Sequence, residues 1–195
     1  LKFPHHENEI AQSEAGCDQA FAHYWMHSGL LNINGEKMSK SLDNFFTIQE
    51  VLAQYDVEVI RYFMLSPLYR SPINYTADNL EQAQTSLNRL YTSMRDLPKA
   101  PRVEGSAYEK AFMSKMDDDF NTPEAMAVLF EIGHEINRIK ETEVTKAAGL
   151  AALLRDLGSV VGILQADPTV FLQSGVDSVE ASEIEALLTQ RRQAR

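Results

Sequence analysis

The second half of the sequence repeats apolar residues at helical spacing, and this repeat limits what the chain can fold into. Spacings of three and four residues recur in segments that begin near residues 77, 107, 123 and 146. Helices of this kind each carry one apolar stripe, and they can bury four stripes only against one another, so we expect a helical bundle. The residues predicted to face its core are Leu80, Ala83, Leu87, Leu90, Tyr91, Met94, Tyr108, Phe112, Met116, Ala125, Leu129, Ile132, Ile136, Ile139, Leu150, Leu153, Leu154, Leu157, Val161 and Leu164.

Upstream of these helices, a short basic segment lies between two turn signals. Leu30–Ile33 leads into Asn34-Gly35, a dipeptide that favours a two-residue hairpin because both positions require a positive φ. Further on, Thr47 and Glu50 have the spacing of a capping box, which predicts the start of a helix. The segment Lys37–Ser41 is therefore expected on a short loop fixed at both ends, where its ammonium and hydroxyl groups can bind a polyphosphate. From spacing alone, a solvated basic turn is the alternative.

Three segments resemble one enzyme family and occur in that family's order. Lys37-Met38-Ser39-Lys40-Ser41 resembles the KMSKS signature of class I aminoacyl-tRNA synthetases. Phe3–Glu14 resembles the segment near the zinc ion in the bacterial cysteinyl-tRNA synthetase family, and Tyr24–Gly29 is similar to the same family. The resemblance runs through most of the chain and weakens after Leu97.

The resemblance implies an enzyme that activates cysteine with ATP, forming cysteinyl-adenylate, and transfers cysteine to the 3′-terminal adenosine of tRNA-Cys. Lys37, Met38, Ser39, Lys40 and Ser41 would form its ATP-binding loop. Lys40 matches the position that stabilises the triphosphate as charge moves onto pyrophosphate, and Lys37 would assist it. Mg²⁺ bound with ATP would share the phosphate charge. The expected partners are tRNA-Cys, ATP and cysteine, without a membrane, and the expected state is a monomer.

His5 and Glu9 are the candidate metal ligands. Pro4 predicts the first turn of a helix and Gly16 its end, so these two side chains would share a face. The spacing alone favours a surface pair over a pair of metal ligands. The resemblance implies that they are two of four ligands of one Zn²⁺ per intact chain. The other two would be cysteines in the family's N-terminal part, and Cys17 matches neither of them. The zinc would let the enzyme select cysteine over serine, because a cysteine thiolate binds the metal and a serine hydroxyl does not.

Aromatic and basic residues suggest further contacts around this site. Phe21–Met26 is predicted to form a buried strand in which Trp25, followed by His27, lines the amino-acid or adenine pocket, unless both are ordinary core residues. The two short helices predicted after the basic loop, near Ile48–Gln54 and Val57–Leu65, resemble the family's stem-contact region. Candidates for RNA contacts, with a solvated face as the alternative for each, are Arg61, Tyr69 and Arg70.

The sequence and the resemblance together predict a mostly α-helical protein. Residues 1–72 are expected to form the C-terminal end of a Rossmann-like catalytic domain, with the hairpin, the KMSKS loop and the stem-contact helices. Residues 73–175 would follow as an antiparallel helical bundle that binds tRNA, and 176–195 as a linker and the start of a truncated anticodon-binding region. Asp117–Asp119 is predicted to stabilise the N-terminus of the helix beginning at Pro123.

Composition limits the kinds of binding surface and cellular compartment that fit this chain. A net charge of −10 argues against a dominant nucleic-acid-binding surface, so any RNA contact in this chain should be local. A single cysteine excludes an internal disulfide framework and fits a cytoplasmic protein. The sequence begins without methionine and ends within a helical pattern, so we expect an internal fragment that is inactive alone.

Two other functions remain open at this point. A related ligase of mycothiol synthesis also activates cysteine but attaches it to an amino-sugar inositol rather than to tRNA. A non-catalytic tRNA-binding helical module would need only the bundle, and the presence of Lys37–Ser41 argues against it.

Overall fold

The computed structural model describes residues 2–38 and 47–173, and most of these residues are helical, as predicted. A π-helical turn, Lys2–His6, precedes the first α-helix. The described α-helices are α1 (Glu7–Cys17), α2 (Ile48–Leu52), α3 (Val57–Leu65), α4 (Ala77–Met94), α5 (Ala107–Asp117), α6 (Thr122–Ile139), α7 (Val144–Val160) and α8 (Pro168–Gln173). Among the described residues, none of the helices has the length and apolar character needed to cross a membrane.

A small sheet forms from three strands of the described chain, β1 (Leu31–Ile33), β2 (Glu36–Lys37) and β3 (Ile73–Tyr75). The strand order is β2-β1-β3, with β1 antiparallel to β2 and parallel to β3. The predicted hairpin is confirmed, since Asn34 and Gly35 have φ values of 50° and 84°. Both turn residues therefore adopt the left-handed conformation that a tight hairpin requires.

Helices α4 to α7 share one apolar core. Helix α6 contacts α4, α5 and α7, so it lies at the centre of this group. The predicted stripes are buried, with Leu87, Leu129 and Leu153 each fully inaccessible. Three predicted core residues are only partly buried and pack against the core from its margin: Tyr108, Met116 and Val161.

Helix α7 ends four residues earlier than the pattern suggests. The pattern extends to Leu164, but the helix stops at Val160 and the chain then turns through Gly162 with φ 73°. Leu164 is fully buried from outside the helix, in a left-handed conformation with φ 62°. The prediction that Leu164 faces the core is confirmed. The prediction that it belongs to the helix is wrong, because the turn after Val160 returns its side chain to the same core.

Helix α3 belongs to the same core as the helices that follow it. Val59 and Phe63 are buried in the shared apolar cluster, and α3 packs against α4. At its C-terminus, the Thr122 hydroxyl donates a hydrogen bond of 2.7 Å to the carbonyl oxygen of Leu65. The last turn of α3 is therefore bound to the first residue of α6.

In the N-terminal region the predicted helix is confirmed with different bounds, and the predicted strand is wrong. The helix expected from Pro4 to residue 15 starts as a π-helical turn, continues through Gly16 as α1, and ends where Asp18 takes the left-handed position with φ 50°. Phe21–Met26 forms no strand and is exposed, because no described element packs over it. Aromatic residues alone did not distinguish a buried strand from an exposed irregular segment.

The role predicted for the three aspartates is also wrong. The cap of α6 is Asn121, whose side chain accepts a hydrogen bond from the backbone N–H of Glu124 at 3.3 Å. Asp119 lies in a left-handed turn with φ 53° and binds residues far away in the sequence. An asparagine tolerates the non-helical cap position as well as an aspartate does, so composition alone did not identify the capping residue.

Candidate functional site

The start of the basic loop is fixed by the sheet. Lys37 is the last residue of β2 and pairs with Asn32 of β1, and the half-buried Met38 follows it. Ser39, Lys40 and Ser41 lie outside the described residues. The structure therefore fixes the position of the backbone at the start of the loop.

Asn74 attaches the hairpin turn to the helical region. Its side-chain oxygen accepts a hydrogen bond of 2.8 Å from the backbone N–H of Gly35. Its own carbonyl accepts a bond of 2.8 Å from the side-chain amide of Asn79 in α4. The backbone N–H of Asn34 also donates to the carbonyl of Tyr75 at 3.1 Å. Asn74 was not identified from the sequence because Gly35, its partner in the hairpin turn, is 39 residues away.

The far end of the loop is held by the predicted capping box, which is confirmed. The backbone N–H of Thr47 donates to the Glu50 carboxylate at 2.6 Å, and the N–H of Glu50 donates to the Thr47 hydroxyl at 3.2 Å. The hydrogen bonds from Thr47 lower the pKa of Glu50 below its ordinary value. Val51, one residue further, is buried. Both ends of the segment between Met38 and Thr47 are therefore anchored, as the sequence predicts.

A second part of the candidate site is a stack of aromatic and imidazole rings. The His6 ring lies 5.3 Å from that of His27 and 6.1 Å from that of Trp25, and the three rings are nearly parallel. Phe21 packs beside Trp25 at 5.6 Å. Within the described chain, the buried Nδ1 atom of His6 has no hydrogen-bond partner. The stack thus combines flat apolar surfaces with an unpaired polar atom, which suits a binding site.

His27 is the titratable member of this stack. Partial burial lowers its pKa, and the positive charge of Lys2 and the neighbouring His6 lower it further. The His27 ring is therefore neutral at physiological pH and can accept as well as donate a hydrogen bond. The structure brings Trp25 and His27 together as the sequence suggests, while their role as pocket residues stays a prediction.

Gly29 positions this region against the segment before β3. Its N–H donates to the carbonyl of Tyr69 at 2.7 Å, and a Cβ atom at this position would lie 1.9 Å from the carbonyl oxygen of Ser71. Only glycine allows this approach. No local sequence pattern indicates this requirement, because it comes from residues about 40 positions away.

The predicted zinc ligands are accessible. His5 and Glu9 are both exposed, and neither forms a hydrogen bond or an ion pair with another described residue. The part of the chain that the structure describes contains no cluster of three or more metal-binding side chains. These two residues therefore offer a partial ligand set. Cys17 is an exposed free thiol.

Two of the three residues suggested for RNA contact are bound within the protein. The Asp119 carboxylate accepts hydrogen bonds from Arg70 Nε at 2.8 Å, from Arg70 Nη2 at 3.0 Å and from the Tyr69 hydroxyl at 2.9 Å. The third residue, Arg61, lies against Gly162. All three connect α3 or the segment before β3 to later parts of the chain, and a contact with RNA stays a prediction.

Two family profiles match this sequence. The family described as "tRNA synthetases class I (C) catalytic domain" matches residues 1–85, and the DALR domain matches residues 111–165. The cysteine–tRNA ligase of Ectopseudomonas mendocina (strain ymp) is 55% identical over 196 residues, and that of Azotobacter vinelandii (strain DJ) is 53% identical. Both alignments cover 100% of this chain and 42% of the relative, so the chain spans less than half the length of these curated proteins.

One solved structure has a related fold. It is the LeuRS of Agrobacterium radiobacter K84 in a ternary complex with tRNA and LeuAMS, with a TM-score of 0.53 and 15% sequence identity. The similarity covers 73% of this chain and 23% of that chain.

Proposed function

Because this chain belongs to the cysteine–tRNA ligase family of the class I tRNA synthetases, we propose that it acts in the ATP-dependent attachment of cysteine to tRNA-Cys. The observation that carries this proposal is similarity to cysteine–tRNA ligases over 100% of the chain, including the complete Lys37–Ser41 segment. The anchored hairpin and capping box that flank this segment support a loop built to bind a polyphosphate.

The reaction has two steps. A carboxylate oxygen of cysteine first attacks the α-phosphorus of ATP, and the bond to the departing pyrophosphate breaks. A ribose hydroxyl of the terminal adenosine of tRNA then attacks the carbonyl carbon, forming the ester and releasing AMP. Catalysis of the first step depends mainly on positioning and on stabilising the charge that develops on pyrophosphate.

The residues of the basic loop have separate roles in this proposal. The Lys40 ammonium group stabilises the negative charge that accumulates on pyrophosphate, and Lys37 assists at the fixed end of the loop. Ser39 and Ser41 donate hydroxyl hydrogen bonds to phosphate oxygens, and the half-buried Met38 holds the loop to the sheet. Mg²⁺ bound with ATP shares the phosphate charge.

His5 and Glu9 fit part of a zinc site, since both are exposed and unpaired within the described chain. An imidazole and a carboxylate are suitable donors, but zinc sites use at least three protein ligands, so the remaining ligands must come from outside the described residues. When bound, Zn²⁺ supplies a soft position for the cysteine thiolate that a serine hydroxyl does not fill.

The domain arrangement is part of the same proposal. Residues 1–72 form the end of a Rossmann-like catalytic domain, 73–175 an antiparallel helical bundle that contacts tRNA, and 176–195 the start of an anticodon-binding region. The family matches to residues 1–85 and then 111–165 support this order of the two domains. The enzyme would act as a cytoplasmic monomer.

Cysteine-dependent exchange of pyrophosphate into ATP tests the role of the loop in the full-length protein. Lys40→Ala is expected to lower the exchange rate by about 10²- to 10³-fold, the usual cost of removing one stabiliser of transition-state charge. The affinity for cysteine should hardly change, because the lysine acts at the phosphates. Lys110→Ala, at an exposed position of α5, is the matched control. Equal rates for the two variants would refute the role of Lys40.

Metal analysis tests the ligand assignment separately from activity. The full-length protein is expected to carry one zinc per chain, and His5→Ala is expected to lose it. A His5→Ala variant that retains its zinc would exclude His5 as a ligand.

A further inference from the structure

A groove between α4 and α6 differs in composition from the rest of this acidic chain. It has a volume of about 330 Å³, and its polar lining includes Arg89 and Asn88 from α4, and His134 and Asn137 from α6. No aspartate or glutamate lines it, although the chain contains 28 acidic residues and has a net charge of −10. A basic groove on such a protein is a local site of attraction for an anion.

The guanidinium group of Arg89 is available for a ligand. It lies over the ring of Phe130, with 5.6 Å between its central carbon and the ring centroid. It forms no ion pair and no hydrogen bond with any residue in the described ranges, and its side chain is exposed. By contrast, Arg70, Arg102 and Arg138 are all bound to carboxylates. Stacking on the ring orients the Arg89 donors without using them.

The groove results from the spacing of residues along the two helices. Phe130, Gly133 and Asn137 stand at three- and four-residue intervals, so they lie on one face of α6. Gly133 is buried where the helices come close, and a Cβ atom there would be 3.3 Å from the Ser93 hydroxyl oxygen. The absence of a side chain at Gly133 therefore lets α6 pack closely against α4 at the groove.

Nearby acidic residues do not cancel the positive charge. Glu135 is bound by Arg138 through two hydrogen bonds of 2.7 and 2.8 Å, so this pair is neutral overall. Glu131 is exposed and does not line the groove. A larger cavity that contains Lys99 and Arg155 also contains Asp167, and its charge is therefore partly compensated.

We propose that this groove binds the sugar–phosphate backbone of tRNA, a proposal that rests on the function proposed above. Arginine pairs well with phosphate, while asparagine and threonine side chains, which also line the groove, bond to phosphate oxygens and ribose hydroxyls. A protein partner is less suited to this surface because Phe130 is its single large aromatic residue and is already covered by Arg89.

The test measures binding of tRNA-Cys to the full-length protein at several salt concentrations. Arg89→Ala is expected to raise Kd about five- to tenfold and to reduce the slope of log K against log salt by about 1, as for the loss of one phosphate contact. Asn137→Ala should raise Kd about two- to threefold without changing this slope, because it removes an uncharged hydrogen bond. The thermal unfolding of both variants should match that of the unmodified protein, since both side chains are exposed.

Arg95→Ala is the matched control, because Arg95 is also exposed at the end of α4 but is paired with Asp96 at 3.3 Å and does not line the groove. Its Kd should change less than about twofold. Equal affinities for the Arg89→Ala and Arg95→Ala variants would overturn the groove assignment and leave the proposed function intact. Failure of the unmodified protein to bind tRNA-Cys would instead overturn both.

Discussion

Asp119 is the residue that joins the segment before β3 to the turn between α5 and α6. Its carboxylate accepts two hydrogen bonds from Arg70 and a third from the Tyr69 hydroxyl. The donors on Arg70, followed by Tyr69, lower the pKa of the Asp119 carboxyl group. Burial, followed by the hydrogen bond to Asp119, raises the pKa of Tyr69, so its hydroxyl keeps the proton that it donates. Three residues thus form one polar connection at the surface.

The lowered pKa predicts a pH-dependent contribution to stability. A carboxyl group whose pKa is lower in the folded state stabilises the fold above its unfolded pKa of about 3.9, and this contribution is lost as pH falls through the folded pKa. Asp119→Asn should therefore lower Tm at pH 7, and the difference from the unmodified protein should shrink below about pH 3.9. Thermal unfolding monitored by circular dichroism measures both values.

Asp96→Asn provides the control for this prediction. Asp96 also has a left-handed backbone, with φ 65°, but it is 84% exposed in its side chain and pairs with Arg95 only at 3.3 Å. Asparagine tolerates the left-handed conformation at both positions, so the comparison isolates the carboxylate contact. A Tm difference for Asp119→Asn that is the same at pH 7 and pH 3 would contradict the proposed linkage.

At the scale of elements, α3 and the turn after α7 are joined by a buried carboxylate. Glu58, with 6% exposure, accepts hydrogen bonds from the Tyr91 hydroxyl at 2.7 Å and from the backbone N–H groups of Leu164 and Gln165 at 2.8 Å. Burial and the bond to Glu58 raise the pKa of Tyr91, so the phenol acts as a donor. This network connects α3, α4 and the turn that follows α7.

Glu58→Gln should destabilise the protein by about 2 kcal/mol. The NH₂ group of glutamine replaces one carboxylate oxygen and cannot accept a hydrogen bond, so at least one of the buried donors on Tyr91, Leu164 and Gln165 loses its partner. Urea unfolding measures the difference in the free energy of unfolding. Glu81→Gln makes the same change at an exposed position of α4 and should have little effect. Equal stabilities of the two variants would mean that the Glu58 network does not hold these elements together.

Elements that depend on local signals were predicted well. Helix α3 has the predicted bounds because Asp56 caps its start and Ser66-Pro67 follows its end, and the hairpin turn follows from Asn34-Gly35. The features that were missed depend on residues distant in the sequence. Asp119 binds a residue 49 positions away, and the close approach at Gly29 is to Ser71. No local pattern reports such contacts.

The candidate site was predictable only in part for the same reason. The start of the loop and its capping box follow from short motifs, whereas Lys40 lies outside the described residues. The stacking of His6 on Trp25 and His27 brings together rings about 20 positions apart, in a segment that was expected to be a buried strand. Sequence motifs identified the chemistry, and tertiary contacts determine how those side chains meet.

For the whole molecule, α4 is the element that links the two proposed binding regions. Asn79, in its first turn, bonds to the residue that holds the hairpin turn, and Arg89 lies about 15 Å further along the helix axis. The same helix is buried against α3 and α6. A tRNA backbone in the groove and ATP at the basic loop would therefore be held at a fixed separation by one helix.

The measurement that tests the central proposal most directly is the transfer of labelled cysteine by the full-length protein. The predicted result is ATP-dependent attachment of cysteine to tRNA-Cys, with serine not attached under the same conditions. An acceptor with a glucosaminyl-inositol group, offered in a parallel reaction, should remain unlabelled. Labelling of that acceptor instead of tRNA, or binding of tRNA without any attachment of cysteine, would contradict the assignment as a cysteine–tRNA ligase.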